Sequence, residues 1–228
     1  MSAPPLERLD TWVFDLDNTL YPASSSLFPQ IDARMRAFIG DLLGLNEAEA
    51  HALQKQYYRQ FGTTLRGLML VHKLEPLRFL DYVHDIDRSV LTAEPALDAA
   101  LALLPGRKLI FTNGTESHAV KVLERIGLTR HFEGIFDIHA SNYVPKPDPG
   151  TYKRLLDRHA VSAASSAMFE DIARNLKPAF DLGMTTVWVR AHEPEFRHDT
   201  DDAHVHHVTD DLADWLEVAC TNASGPLE

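Results

Sequence analysis

Residues 11–21, Thr-Trp-Val-Phe-Asp-Leu-Asp-Asn-Thr-Leu-Tyr, limit what this chain can fold into more than any other stretch. Trp12 to Phe14 reads as a short buried strand that runs directly into two carboxylates, Asp15 and Asp17. Acids at the end of a central strand are costly to bury unless something neutralises them. While the chain is extended, Asp15 and Asp17 fall on the same side. Oxygen ligands gathered there suit a hard cation such as Mg2+. A bare Asp-x-Asp is more often an ordinary acidic turn, so the rest of the chain has to decide.

Beyond Tyr21-Pro22 the pattern turns helical. Phe28, Ile31, Met35, Phe38, Ile39 and Leu42 recur at helical spacing. Asn46-Glu-Ala-Glu49 resembles a capping box, opening a helix that passes Leu53 and Tyr57 and stops at Gly62. Two further helices are expected, around 65–74 and 77–83, and no strand before Ser89. From Thr92 the pattern alternates. Strands are expected at 108–112, 134–138, 167–169 and 185–189, with helices around 97–104, 119–126 and 152–156 and a short one ending near Gly183. Strands separated by helices predict a parallel sheet covered on both faces, with ligands outside the carboxyl ends of its strands. The expected fold is therefore α/β, a Rossmann-like parallel sheet core with an inserted all-helical cap. The core would comprise residues 1–21 and 90–228, and the cap 22–89.

The totals exclude some classes. With 22 basic and 33 acidic residues, the chain carries a formal charge of −11, which argues against binding a nucleic-acid polymer. No apolar run approaches the roughly 20 residues of a membrane helix, and the first residues offer no signal peptide. One cysteine, Cys220, excludes an internal disulfide and suits a reducing, cytoplasmic setting. Thr221–Glu228 is expected to be a mobile tail. His204-Val-His206-His207 is expected in a strand or loop near the last helix rather than at a metal.

Polar residues gather where the strands end. Thr112-Asn113-Gly114 closes the strand 109–111 and leads into a helical pattern, so its hydroxyl and amides suit phosphate oxygens. Lys146 lies in Val144-Pro-Lys-Pro-Asp-Pro149, where the prolines restrict the loop and a fixed lysine could neutralise a phosphoryl group. Glu170-Asp171 ends the strand 167–169, with Asn175 four residues on, and forms a second acidic pair. Two such pairs can complete one oxygen-rich metal site.

These four motifs, in this order, resemble the haloacid-dehalogenase-like hydrolase superfamily over roughly residues 8–21 and 92–210. The resemblance implies that Asp15 is the nucleophile, forming an aspartyl-phosphate, and that Asp17 is the general acid and base. It implies Mg2+ held by the Asp15 carboxylate, the Asp17 backbone carbonyl and Asp171. Thr112, Asn113, Gly114 and Lys146 would hold the phosphoryl oxygens, with Glu170 and Asn175 behind them. The family's dehalogenases look different in lacking the second aspartate, so Asp17 favours phosphate chemistry. A mutase remains compatible with the same residues.

A narrower resemblance links Asp15-Leu-Asp-Asn-Thr-Leu-Tyr-Pro22, Tyr57-Tyr58-Arg-Gln-Phe-Gly62 and Leu65-Arg66-Gly67-Leu68 to the pyrimidine 5′-nucleotidase branch. It implies Tyr57, Tyr58 and Arg66 as substrate contacts in the cap. The expected function is a Mg2+-dependent phosphomonoester hydrolase acting on pyrimidine nucleoside 5′-monophosphates. The alternatives are a phosphatase for sugar phosphates or other small phosphorylated metabolites, and a retired phospho-ligand-binding scaffold. The partner would be a small phosphorylated metabolite, with no nucleic-acid polymer and no membrane, and the protein a monomer or homodimer.

Overall fold

β1 (Thr11–Phe14) lies in the middle of the sheet because both of its faces are apolar and all four of its residues are buried. The computed structural model describes residues 6–190 and 202–223. Five more strands join β1: β2 (Arg107–Phe111), β3 (Gly134–Phe136), β4 (Ser166–Glu170), β5 (Thr185–Val189) and β6 (His207–Thr209). All adjacent pairs are parallel, in the order β3-β2-β1-β4-β5-β6. This is a doubly wound, Rossmann-like sheet. The order reverses between β1 and β4, so the crevice at that switch point is bordered by the ends of those two strands.

Side chains alternate across the sheet as strand geometry requires. Trp12, Phe14, Ile110 and Phe169 face one apolar layer, where Phe14 and Phe169 stack at 4.5 Å. Helices α5 (Pro95–Leu103), α6 (Glu116–Ile126) and α9 (Leu212–Ala223) cover that layer. Val13, Leu109, Phe111 and Met168 face the other layer, under α7 (Pro149–His159) and α8 (Ala173–Asp181).

Between β1 and β2 the chain inserts α1 (Leu27–Leu43), α2 (Glu47–Phe61), α3 (Thr64–His72) and α4 (Pro76–Val83). Their apolar faces meet one another around Ile31, Phe38, Tyr57, Leu68 and Phe79, with Ile138 and Tyr143 reaching in from beyond β3. The capping box forms as expected: Glu49 N donates to Asn46 Oδ1 at 3.1 Å and Asn46 N to Glu49 Oε2 at 2.9 Å. Gly62, at φ +87°, ends α2.

Some boundaries differ from the sequence expectation. β3 stops at Phe136 because the Asp137 carboxylate turns the chain, accepting from the amides of Glu116 and Ala140, each at 2.9 Å. The histidine run is absorbed by the sheet edge. His204 Nε2 pairs with the Ala173 carbonyl at 2.8 Å, His206 Nδ1 accepts from Thr186 N at 3.1 Å, and His207 opens β6. Residues 221–223 continue α9 instead of starting a tail, while 224–228 lie outside the described residues. Among the described residues no helix is long and apolar enough to cross a membrane.

Gly67 lets α3 press against α2, since any Cβ there would overlap the near end of the Tyr57 side chain. Gly67→Ala should therefore force that ring aside and lower stability by about 1–3 kcal/mol, as overpacking does. Chemical denaturation checks this, and an unshifted midpoint would contradict the packing.

Candidate active site

The two central strands deliver their acids to one place. Asp15 follows β1, and its amide still bonds Phe169 O at 2.9 Å, so it leaves the sheet in register with the end of β4. There Glu170 and Asp171 stand beside it, and carboxylate oxygens of Asp15, Glu170 and Asp171 lie within 4.8 Å of one another, all three residues buried. Between them is one ammonium. Lys146 Nζ donates to Asp15 Oδ1 at 2.6 Å, to Glu170 Oε2 at 2.7 Å and to Phe111 O at 2.8 Å. Thr19 Oγ1 adds a bond to Asp15 Oδ2 at 3.1 Å.

Three buried carboxylates facing one cation are under-neutralised. Burial and the Glu170 charge push Asp15 up to about 7 against the pull of Lys146. The same two causes, with the Asp15 charge, raise Asp171 well above the carboxylate range. Burial alone would lower Lys146, but Asp15 and Glu170 outweigh it and hold the ammonium above the usual lysine range. This donor set is hard, oxygen-only and short of positive charge, so it fits a divalent cation such as Mg2+.

Asp17 lives in a different environment. Its Oδ1 accepts from Tyr21 Oη at 2.6 Å and pairs with His118 Nε2 at 2.8 Å. Burial would raise it, yet the charge and hydrogen bond of His118 and the bond from Tyr21 take it down to about 2. His84 stacks on His118 at 4.5 Å and pairs through Nδ1 with Thr115 Oγ1 at 3.2 Å. Burial, then the neighbouring His118, lowers His84 to about 3. Two carboxylates two residues apart are thus shifted in opposite directions: one among the acidic cluster, the other against His118 and Tyr21.

The loops hold these groups in place. Asn113 grips the backbone of Lys146, accepting from its N–H at 2.8 Å and donating to its carbonyl at 3.5 Å. Thr112 is buried, and its Oγ1 accepts from the Gly114 amide at 2.9 Å. That amide, expected on phosphate, is therefore already engaged. Asn175 donates to Glu170 Oε1 at 2.8 Å, which makes it a brace for Glu170.

The helical segment departs most from expectation. Tyr57 is buried among α1–α4, with its hydroxyl on His72 Nε2 at 2.7 Å, so its ring packs the helices. Tyr58 lies under the Arg174 guanidinium at 4.4 Å. Arg66 donates to Tyr143 O at 3.1 Å, next to the Lys146 loop. Sequence reasoning missed His118, Tyr21, Thr19 and His84. The available signal was that Asn113-Gly114 opens a helix, which places His118 on its first turn, above the strand ends.

A parallel α/β fold with acids at both switch-point strand ends and a lysine between them defines a hydrolase class. A family model described as haloacid dehalogenase-like hydrolase matches residues 9–183, and the chain belongs to that family. Phosphate metabolism protein 8 of Saccharomyces cerevisiae is 28% identical over 189 residues, which cover 75% of this chain and 58% of the relative. The chain thus spans less than two thirds of that curated relative.

Solved structures agree on the fold. A HAD phosphatase from Thermococcus onnurineus is 17% identical with a TM-score of 0.62, covering 92% of this chain and 97% of its own. The L-2-haloacid dehalogenase of Xanthobacter autotrophicus, with chloropropionic acid covalently bound, is 18% identical with a TM-score of 0.59, covering 92% and 98%. YfnB of Bacillus subtilis, a HAD-hydrolase solved bound to magnesium, is 16% identical with a TM-score of 0.58, covering 93% and 99%.

The raised Asp15 carries a pH signature. A carboxyl whose folded pKa exceeds its unfolded value stabilises the fold below about pH 4 and loses that contribution as pH rises through about 7. In chelator, the stability of D15N relative to wild type should climb across this window by a few kcal/mol, each tenfold change in proton affinity being worth about 1.4 kcal/mol. Denaturant unfolding at a series of pH values measures it, and a flat difference would contradict the crowding of carboxylates.

Proposed function

We propose that the protein is a Mg2+-dependent phosphomonoester hydrolase working through an aspartyl-phosphate on Asp15. The observation that carries this reading is the division between Asp15, set against Lys146 and the acidic cluster, and Asp17, set against His118 and Tyr21. A leaving halide needs no proton, so a second carboxylate placed to deliver one favours an oxygen leaving atom. That separates the reading from the dehalogenases that share the fold.

In the first step a carboxylate oxygen of Asp15 bonds to phosphorus while the ester P–O bond breaks. The departing oxygen takes the proton that the Asp17 carboxyl carries on Oδ2 in this step, which leaves Asp17 a carboxylate whose Oδ1 is held by His118 and Tyr21. In the second step Asp17 takes a proton from water, whose oxygen bonds to phosphorus. The bond between phosphorus and the Asp15 oxygen breaks, releasing phosphate and restoring the Asp15 carboxylate and the protonated Asp17. Lys146 would turn one N–H from its carboxylate partners to the phosphoryl oxygens, with Thr112 beside it. Held by Asp15, Asp171 and the Asp17 carbonyl, with Glu170 behind, Mg2+ would supply positive charge to the phosphoryl oxygens.

The inserted segment 22–89 is proposed as a cap that selects the leaving group, because the core residues meet only the phosphoryl group that every monoester shares. A pyrimidine nucleoside 5′-monophosphate is the finer reading. With Tyr57 turned inward, it rests on Tyr58 and Arg66.

Phosphate release from mononucleotides, sugar phosphates and p-nitrophenyl phosphate should require Mg2+ and vanish in chelator. D15N should be inactive. D17N should lose about 10²–10⁴-fold on an alkyl phosphate, and less on p-nitrophenyl phosphate, whose leaving phenolate needs little protonation. Full turnover by D15N, or turnover in excess chelator, would overturn the mechanism.

A further inference from the structure

A second cavity, of about 290 Å³, lies between the end of α2, α3 and the loop carrying Lys146. Its wall brings together three guanidiniums: Arg59 from α2, Arg66 from α3 and Arg174 from α8. The acidic side chain on that wall is Asp148, an exposed residue whose Oδ1 accepts from Gly150 N at 2.9 Å as the cap of α7. Among the described residues none of the three arginines makes an ion pair. Acids outnumber bases 33 to 22 in this chain, so a shortage of carboxylates does not explain the cluster. The larger cavity, about 640 Å³ and bordered by His84, is unlike it, mixing acids such as Asp85 and Asp137 with bases such as Arg88 and Lys121.

Two of the three guanidiniums are held in place. Arg66 is tethered to Tyr143 O at 3.1 Å, and Arg174 is stacked on Tyr58 at 4.4 Å. Arg174 Nε is buried with no hydrogen-bond partner among the described residues. Gly62 brings the end of α2 onto the loop, where an added Cβ would lie 3.3 Å from Pro145 Cγ. The loop that lines the cavity also sends Lys146 Nζ to Asp15, so one short loop borders the cavity and holds the nucleophile. Like charges gathered without partners repel, and the guanidinium fork matches the oxygens of a carboxylate or phosphate.

We propose that this cavity is an anion subsite that takes a second carboxylate or phosphate group of the substrate whose ester is cleaved at Asp15. The proposal rests on the phosphomonoesterase reading. It narrows the substrate class to small phosphorylated acids or bisphosphates, and it sets aside the finer nucleoside monophosphate reading, whose leaving group is neutral and whose Arg66 is here assigned to an anion.

The test uses matched pairs: 3-phosphoglycerate against glycerol 3-phosphate, and a hexose bisphosphate against the hexose monophosphate. Wild type should favour the member with the extra anion in at least one pair. Arg59→Gln, at an exposed position, and Arg174→Gln should each reduce that preference about tenfold or more, the scale of a charged hydrogen bond. No preference in either pair, or equal losses on both members, overturns the subsite.

Titration of inorganic sulfate and of 3-phosphoglycerate into D15N separates the sources of the anion. If the arginine changes weaken sulfate alone, the cavity serves a free anion and the substrate proposal fails. If no ester is hydrolysed at all, the phosphomonoesterase reading fails, and D15N binding alone decides. Weaker 3-phosphoglycerate binding in the arginine variants then supports the subsite, and unchanged binding overturns it.

Discussion

Lys146 Nζ touches Asp15, Glu170 and the carbonyl of Phe111, and through these bonds it joins three strands of the sheet. Asp15 follows β1, Glu170 ends β4 and Phe111 ends β2, so the ammonium closes the switch point of the sheet from above. Removing one partner of such a buried pair typically costs about 3–5 kcal/mol, because it strands a charge away from water. Here the pair is also incomplete, since Asp171 adds a third carboxylate to the same space. The site is thus built to need one more positive charge. The surrounding loops, with Asn113 gripping the Lys146 backbone and Asn175 bracing Glu170, fix the geometry in which that charge would be received.

Against this, Asp17 shows how two residues of chain separate two functions. Asp15 sits among carboxylates and rises to about 7, whereas Asp17 meets His118 and Tyr21 and falls to about 2. The strand end supplies the proximity, and the first turn of α6 supplies the difference, because His118 reaches across to Asp17 from there. The two shifts run opposite to the proposed roles, in which Asp15 attacks as a carboxylate and Asp17 delivers a proton. A cation beside Asp15 and phosphoryl charge beside Asp17 would have to reverse them.

Much of this was legible in the sequence where the signal is local. Asp15, Asp17, Lys146, Glu170 and Asp171 announce themselves as polar residues at the ends of apolar strands, and the parallel sheet follows from strands spaced by helices. What the sequence could not show depends on tertiary packing. Tyr57 is expected as a substrate contact beside Tyr58, yet Gly67 leaves room for its ring between α2 and α3, and there it is buried. Gly114 reads as a free amide, yet Thr112 folds back to bond it. His118, 101 residues from Asp17 in sequence, and Arg174, a full domain's length from Arg59, gain their meaning only once the chain has closed.

The central claim is that Asp15 becomes covalently phosphorylated during turnover. Rapid acid quench of the wild-type enzyme with substrate and Mg2+, followed by peptide mass mapping, tests it directly. The account predicts one phosphoryl group on the peptide containing Asp15, labile to hydroxylamine as an acyl phosphate and formed at least as fast as product. Steady release of phosphate with no covalent phosphoryl group at any time, or with the group on another residue, would contradict it.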